Sequence, residues 1–176
     1  MFPVFETERL ILREITEKDA HGIFNCFSNN AVTRFYGQDT LTTLDQAKQF
    51  VEAFSKNYNE KRGIRWGIEL KGKEGIIGTI GFHAWSPKYK RAEIGYELHP
   101  DYWRKRYATE AVKKVVSFGF NELGLTRIGA VVFIDNHASN QLLIKLGFEK
   151  EGILRNYMYQ NGVPYDTNVY SILKSS

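Results

Sequence analysis

Residues 91–111 read RAEIGYELHPDYWRKRYATEA. The first eight alternate polar and apolar as a strand does, and Pro100 ends the pattern. From Ala108 onward, apolar and small residues recur at helical spacing, through Ala111, Val112, Val115, Val116 and Gly119. Between strand and helix stand Arg104, Lys105 and Arg106. A helix start carries partial positive charge and N–H groups without intrahelical acceptors, so three cations there repel the dipole and one another. Two readings fit: a solvated basic turn, or a site whose backbone N–H groups and cations hold an anion such as phosphate.

Working outward, the helix runs about fifteen residues to Leu123–Gly124, within the usual range. RIGAVVFI, 127–134, is a continuous apolar run of the kind buried on both faces. HASNQLLIKLG, 137–147, predicts a short helix closed by Gly147, and FEKEGILRN another strand. In YMYQNGVPYDTNVYSIL, Asn161–Gly162 between alternating aromatics predicts a hairpin or a longer β loop. Upstream, IRWGIEL and GIIGTIGFHAW flank the turn-like KGKEG. A helix is expected over TTLDQAKQFVEAFSKNYNEKRG, with Ala47, Phe50, Val51, Phe54 and Tyr58 on one face and Gly63 closing it. Before it, Leu10 to Ile15 forms a strand, and Thr16 with Asp19 forms a capping box that opens a first helix. Hairpins dominate early and helices return the chain to parallel neighbours late. The expectation is an α/β (α+β) fold: a mixed sheet covered on both faces.

The chain has 176 residues, which fits one domain over 1–176 with a real core. It is 43% hydrophobic and 14% aromatic, which argues against disorder. Its one cysteine, Cys26, excludes an internal disulfide and a thiolate-only metal cage. No apolar run reaches membrane-spanning length, and Glu6 and Glu8 interrupt any signal-peptide pattern, so a soluble cytoplasmic protein is expected. The net charge of +4 allows an anionic partner or a merely solvated surface.

AEIGYELHPDYWRKRYATEA, NHASNQLLIKLGFEKEGILR and TERLILREITEKDA, in their places along the chain, together resemble the GNAT N-acetyltransferase superfamily. More narrowly they resemble the RimJ/RimL branch, which acetylates the N-termini of ribosomal proteins. The resemblance covers about Glu6 to Leu173. It implies a strongly twisted mixed sheet, split open between two parallel central strands, RAEIGYEL and RIGAVVFI. It places the pantetheine arm of acetyl-CoA in that split, beside the strand end at Leu98, hydrogen-bonded as an added strand would be. The diphosphate then meets Arg104, Lys105, Arg106, Tyr107, Ala108 and Thr109, a negative partner for the basic helix start. The family loop has Gln/Arg-x-x-Gly-x-Gly/Ala, whereas this window is Trp103-Arg104-Lys105-Arg106-Tyr107-Ala108. Arg106 thus replaces the main glycine, which gives up close approach and unusual dihedrals in part and adds a guanidinium suited to phosphate.

By the same resemblance, Asn136 contacts the pantetheine arm, and Ser139 is the acid toward the leaving thiolate. The tyrosine that serves elsewhere in the superfamily is replaced by Leu143. Asn136 and Ser139 also suit plain helix capping. Attack by an amine requires loss of a proton, and Glu93, Gly95 and Glu97 share one face of their strand. Glu97, nearer the basic loop, is the first candidate base and Glu93 its rival, with a water as relay; ordinary surface charge is the plain alternative. His83 and His99 have no partner at metal-ligand spacing, so no metal is expected. Trp85, Trp103, Phe35, Tyr36, Tyr157 and Tyr159 suit core packing or an acceptor groove, and Arg34–Thr42 holds the place that varies with acceptor.

The expected activity is direct acetyl transfer from acetyl-CoA to a primary amine in a ternary complex, since no nucleophile set is legible. The leading acceptor is a protein or peptide N-terminus, possible ribosomal substrates included; polyamines, amino acids or aminoglycosides are the alternative. A non-catalytic acyl-CoA-binding module is the rival class. Direct nucleic-acid or membrane binding is not expected, and exposed aromatics on the terminal hairpin suit a homodimer.

Overall fold

The computed structural model describes residues 1–176. In chain order the elements are β1 (Phe5–Glu6), β2 (Leu10–Glu14), α1 (Ala20–Phe27), α2 (Asn30–Thr33), α3 (Leu44–Asn59), β3 (Ile64–Leu70), β4 (Ile76–Ser86), β5 (Arg91–Leu98), α4 (Tyr107–Asn121), β6 (Arg127–Phe133), α5 (His137–Lys145), β7 (Glu149–Gln160) and β8 (Val163–Leu173). The strands form one eight-stranded sheet in the order β1-β2-β3-β4-β5-β6-β8-β7. Every neighbouring pair is antiparallel except β5 with β6, joined through α4.

The parallel pair positions the site. Pairing runs only from Arg91–Glu93 against Arg127–Gly129. Beyond it, Ile94–Leu98 and Ala130–Phe133 have no partner across the gap, although β4 and β8 continue to hold their outer edges. The sheet is therefore split open, as the resemblance implies. Unpaired strand edges on either side of such a gap expose backbone donors and acceptors to whatever enters it.

Strand alternation sorts the two faces. Ile64, Trp66 and Ile68 of β3, Ile80 and Phe82 of β4, and Ala92 and Ile94 of β5 join Ala111, Val112 and Val115 of α4 in the larger core. On the opposite face Ile15 and Ile76 pack with Ile23, Cys26 and Phe27 of α1 and Ala47 and Val51 of α3. Arg65, Thr79, Glu93, Gly95 and Glu97 alternate onto that second face.

Local chemistry fixes the ends of the elements. The Thr16 N–H donates to the Asp19 carboxylate at 2.9 Å, as the capping box requires. Asn161 and Gly162 both take positive φ, at 51° and 76°, and so form the two-residue turn between β7 and β8. Gly63 does not close α3. Lys61 takes the left-handed conformation there, at φ 55°. Gly63 instead lies against β4, where a Cβ would come within 2.7 Å of the Phe82 carbonyl oxygen. β1 and α2, too short to show a hydrophobic period, are the elements the sequence pattern misses.

Candidate active site

The basic segment keeps the backbone shape that glycine would give. Arg104 and Arg106 stand at φ 62° and 63°, the left-handed region that costs a non-glycine residue about 1–2 kcal/mol. Arg106 therefore surrenders none of the unusual dihedral expected to be lost with glycine. Its effects are bulk, charge and the strain of holding that conformation. Arg106 is the N-cap of α4, and no side chain caps that end. The N–H groups from Arg104 to Thr109 find no acceptor within the chain. The three basic side chains are exposed around them. A row of free donors, a helix dipole and three cations make a site that fits a phosphate group.

Two ties hold this loop in place. The Trp103 indole N–H donates to the Leu98 carbonyl at 2.8 Å, fixing the loop to the end of β5. Leu98 itself is buried in the core, and its carbonyl is already engaged. Behind the helix start, Glu110 accepts from the Thr7 hydroxyl, the Arg9 backbone N–H at 2.8 Å and Arg9 Nε at 2.8 Å. These hydrogen bonds from Thr7 and Arg9 lower the Glu110 pKa against the opposing effect of its partial burial.

The two candidate carboxylates have different surroundings. Glu97 is almost wholly buried. Its Oε2 accepts from Arg65 Nη2 at 2.6 Å and its Oε1 from the Thr79 hydroxyl. Arg65 also donates to Thr79 Oγ1 at 2.8 Å, the Gly95 carbonyl at 3.3 Å and the Tyr36 hydroxyl at 2.6 Å. Burial raises the Tyr36 pKa, so its hydroxyl stays neutral. Glu97 thus neutralises a buried guanidinium, and both its oxygens are occupied. Glu93 has no such partner. Its Oε2 lies 3.6 Å from His83 Nε2, and its side chain is one-third exposed. Partial burial raises its pKa, opposed by Arg127 and Arg91. Partial burial and the Arg65 charge lower the His83 pKa, moderated by solvent because its side chain is half exposed, and the ring is neutral at pH 7. Glu93 also marks the last paired position before the sheet opens.

Beside these groups lies a cleft of about 610 Å³, lined by Tyr36, Phe54, Asn57, Arg62, Arg65, His83 and Trp85 among others. No carboxylate lines it. The Trp85 indole nitrogen is buried without a hydrogen-bond partner. Gly95 lies on the open strand edge, and a Cβ there would stand 3.3 Å from both Arg65 and His83, two residues that line the cleft.

On α5, the Asn136 side chain accepts from the Ser139 N–H at 3.3 Å, the capping role its sequence position allows. The Ser139 hydroxyl meets the Tyr96 hydroxyl of β5 at 2.7 Å, across the opening between strand and helix. Leu143 is fully buried in the core. Cys26 is buried against the Ile77 carbonyl, with burial and the Glu97 charge pushing its thiol up to about 12. It lies nearer Glu97 than its sequence distance predicts, and it stays protonated.

Arg65, Thr79 and Tyr96 have no signal of their own in the sequence. Their roles arise from partners 14 to 43 residues away. The alternation of β3 against β5 places Arg65 on the face of Glu97, but nothing in the residues alone shows that they meet.

A sheet opened between two parallel strands, with a donor-rich helix start at the mouth of the gap, is the architecture of an acyltransferase. Residues 9–149 match the family model described as Acetyltransferase (GNAT) domain. The chain is 62% identical to the "Uncharacterized N-acetyltransferase YoaA" of Bacillus subtilis, over 99% of this chain and 98% of that one. The ribosomal-protein-S5-alanine acetyltransferase of Vibrio fischeri superposes with a TM-score of 0.83 at 26% identity, covering 97% and 96% of the two chains. A spermidine N-acetyltransferase of Vibrio cholerae, in complex with CoA and spermine, shares the fold with a TM-score of 0.84 at 22% identity, covering 95% and 96%. This chain belongs to the GNAT acetyltransferase family, and it is an acyltransferase.

Proposed function

We propose that the protein transfers an acetyl group from acetyl-CoA to a primary amine, directly and within a ternary complex, and that the acceptor is a protein or peptide N-terminus. The observation that carries this reading is the free row of N–H groups from Arg104 to Thr109, set at the mouth of the unpaired β5–β6 gap. Those N–H groups, with Arg104, Lys105 and Arg106, would hold the diphosphate of the donor. The open strand edge ending at Leu98 would hold its pantetheine arm, with the Asn136 amide beside it. The donor supplies an activated thioester, and the protein orients it and manages protons.

In this account Glu93, directly or through a water, takes the proton that the amine sheds. Support comes from its partial exposure, its raised pKa and its place where the sheet opens. A base works best when its pKa approaches the working pH. Glu97 stays the rival, but both its oxygens are already taken, by Arg65 and by the Thr79 hydroxyl, which leaves it badly placed to receive a proton from an amine or a water. Ser139 is the group toward the leaving sulfur. The protonated, buried Cys26 speaks against an acyl-enzyme.

The lining of the cleft supports a peptide N-terminus over a polyamine. A polycation needs carboxylates to hold it, whereas this cleft offers guanidinium and amide donors and aromatic walls. Peptide carbonyls match those donors. The test is acetyl transfer with a mass readout over N-terminal peptides and small amines. Acetylation of α-amino groups in preference to spermidine is the expected result. Exclusive acetylation of polyamines would overturn the acceptor assignment, and acetyl-CoA binding with no product would make this a binding module.

A further inference from the structure

The opening between β5 and α5 contains a group that neither the loop nor the acceptor cleft uses. Tyr96 points from β5 toward α5, on the face opposite Glu93, Gly95 and Glu97. Its hydroxyl meets Ser139 Oγ at 2.7 Å. The ring packs against the larger core, so the hydroxyl sits at the end of a rigid aromatic arm. Ser139 by contrast is a short side chain in the first turn of α5, and its own backbone N–H is the one the Asn136 cap holds. The helix has no tyrosine of its own, because Leu143 is buried in the core.

We infer that Tyr96 is the positioning residue for the leaving group, holding the Ser139 hydroxyl with its hydrogen directed into the gap toward the departing sulfur. This rests on the proposed acetyl transfer. Either hydroxyl can donate at this contact; in the inferred arrangement Tyr96 donates to Ser139 Oγ, which leaves the hydrogen of Ser139 free to donate in turn. As the amine nitrogen bonds to the acetyl carbon, the carbon–sulfur bond breaks and its electron pair goes to sulfur. The aligned hydroxyls donate to that developing negative charge. The amine's proton leaves through Glu93 to solvent, so the products are the amide, the thiolate of coenzyme A and one proton. Two hydroxyls in series donate more strongly than one, because each polarises the next. Burial raises Tyr96 to about 12, against the opposing Ser139 hydrogen bond, so the phenol keeps its proton and remains a donor. A strand tyrosine thus supplies from β5 the phenol that α5 lacks.

The experiment needs no acceptor. Coenzyme A binding is measured by calorimetry below and above the titration of its thiol, for the parent, Tyr96→Phe, Ser139→Ala and the double variant. A site that donates to sulfur binds the thiolate more tightly than the thiol, so the parent's affinity should rise with pH. Tyr96→Phe, which keeps the ring and its packing, should lose about tenfold of that rise, the size of one hydrogen bond. It should leave the low-pH affinity unchanged. In the Ser139→Ala background the Tyr96 change should add nothing, since Tyr96 acts through Ser139. An unchanged pH rise in Tyr96→Phe overturns the inference, and so does an equal loss in the Ser139→Ala background. Absence of any coenzyme A binding by the parent would instead sink the donor assignment beneath it. Where acetyl transfer is followed, Tyr96→Phe should lower kcat about tenfold with KM for acetyl-CoA unchanged.

Discussion

Arg106 shows how far one side chain can depart from a motif without changing the backbone. It holds the left-handed φ of 63° that glycine would hold. Arg106→Gly should therefore raise stability by up to about 1 kcal/mol, as strain is relieved and part of the gain is lost to a freer unfolded chain. The same substitution should weaken acetyl-CoA binding by about 1.5 kcal/mol, less at high salt, since an exposed guanidinium–phosphate contact is lost and screened. Thermal unfolding and calorimetry on one variant read both signs; a gain in affinity would show the guanidinium to be an obstruction. The two glutamates of β5 separate just as cleanly. Glu97→Gln leaves Arg65 uncompensated in the interior and should cost about 3–5 kcal/mol in urea unfolding. Glu93→Gln should leave stability nearly intact and lower the transfer rate about a hundredfold, an effect that shrinks as rising pH supplies free amine. If Glu97→Gln folds normally and carries the rate loss, the base is Glu97. His83 gives a pH test of the acceptor face. Folding lowers its pKa below 6.5, an effect that solvent moderates because the side chain is half exposed, so the unfolded chain binds more protons just below that value. Stability is full above 6.5 and declines as pH falls below it, and His83→Gln should flatten that decline.

At the scale of elements, the strand, the loop and the helix start make the site because each is tied to something distant. Glu110 fastens α4 to the turn between β1 and β2, and Trp103 fastens the loop to β5. Glu110→Ala should lower Tm by about 2–6 °C and loosen the helix start. A Tm shift without any loss of acetyl-CoA affinity would mean that the phosphate-binding backbone keeps its shape unaided. Much of this level was legible beforehand. The period of α4, the apolar run of β6 and the Asn161–Gly162 turn follow from residue spacing, and the parallel pair from the family resemblance. Gly63 was misread because a glycine after a helical pattern resembles a cap, whereas its place is set by the approach of Phe82 from another strand. The basic loop was legible as either an anion site or a solvated turn, but its left-handed arginines were not, since sequence shows no dihedral. Arg65 and Tyr96 were invisible for a different reason. Their partners are chosen by sheet register and helix packing, which no local window contains.

For the whole molecule, the split sheet divides the work between its faces. The α4 and α5 side offers phosphate donors and the Tyr96–Ser139 pair. The α1 and α3 side offers Glu93, the Arg65–Glu97 pair and the cleft beside them. Donor and acceptor can then approach through the sheet from different sides, which suits direct transfer and leaves no need for a covalent relay. A ligand that bridges the gap also joins strands that share no backbone pairing there, so acetyl-CoA at a hundredfold above its Kd should stabilise the fold by about 2.7 kcal/mol. The central claim is that this gap and its basic mouth are a site for a diphosphate-bearing acyl thioester. Calorimetric titration with acetyl-CoA, set beside an acetyl-pantetheine that lacks every phosphate, tests it most directly. The account predicts clear binding of acetyl-CoA, much weaker binding of the phosphate-free thioester, and a difference that narrows with added salt. Equal affinity for the two, at low salt, would contradict it.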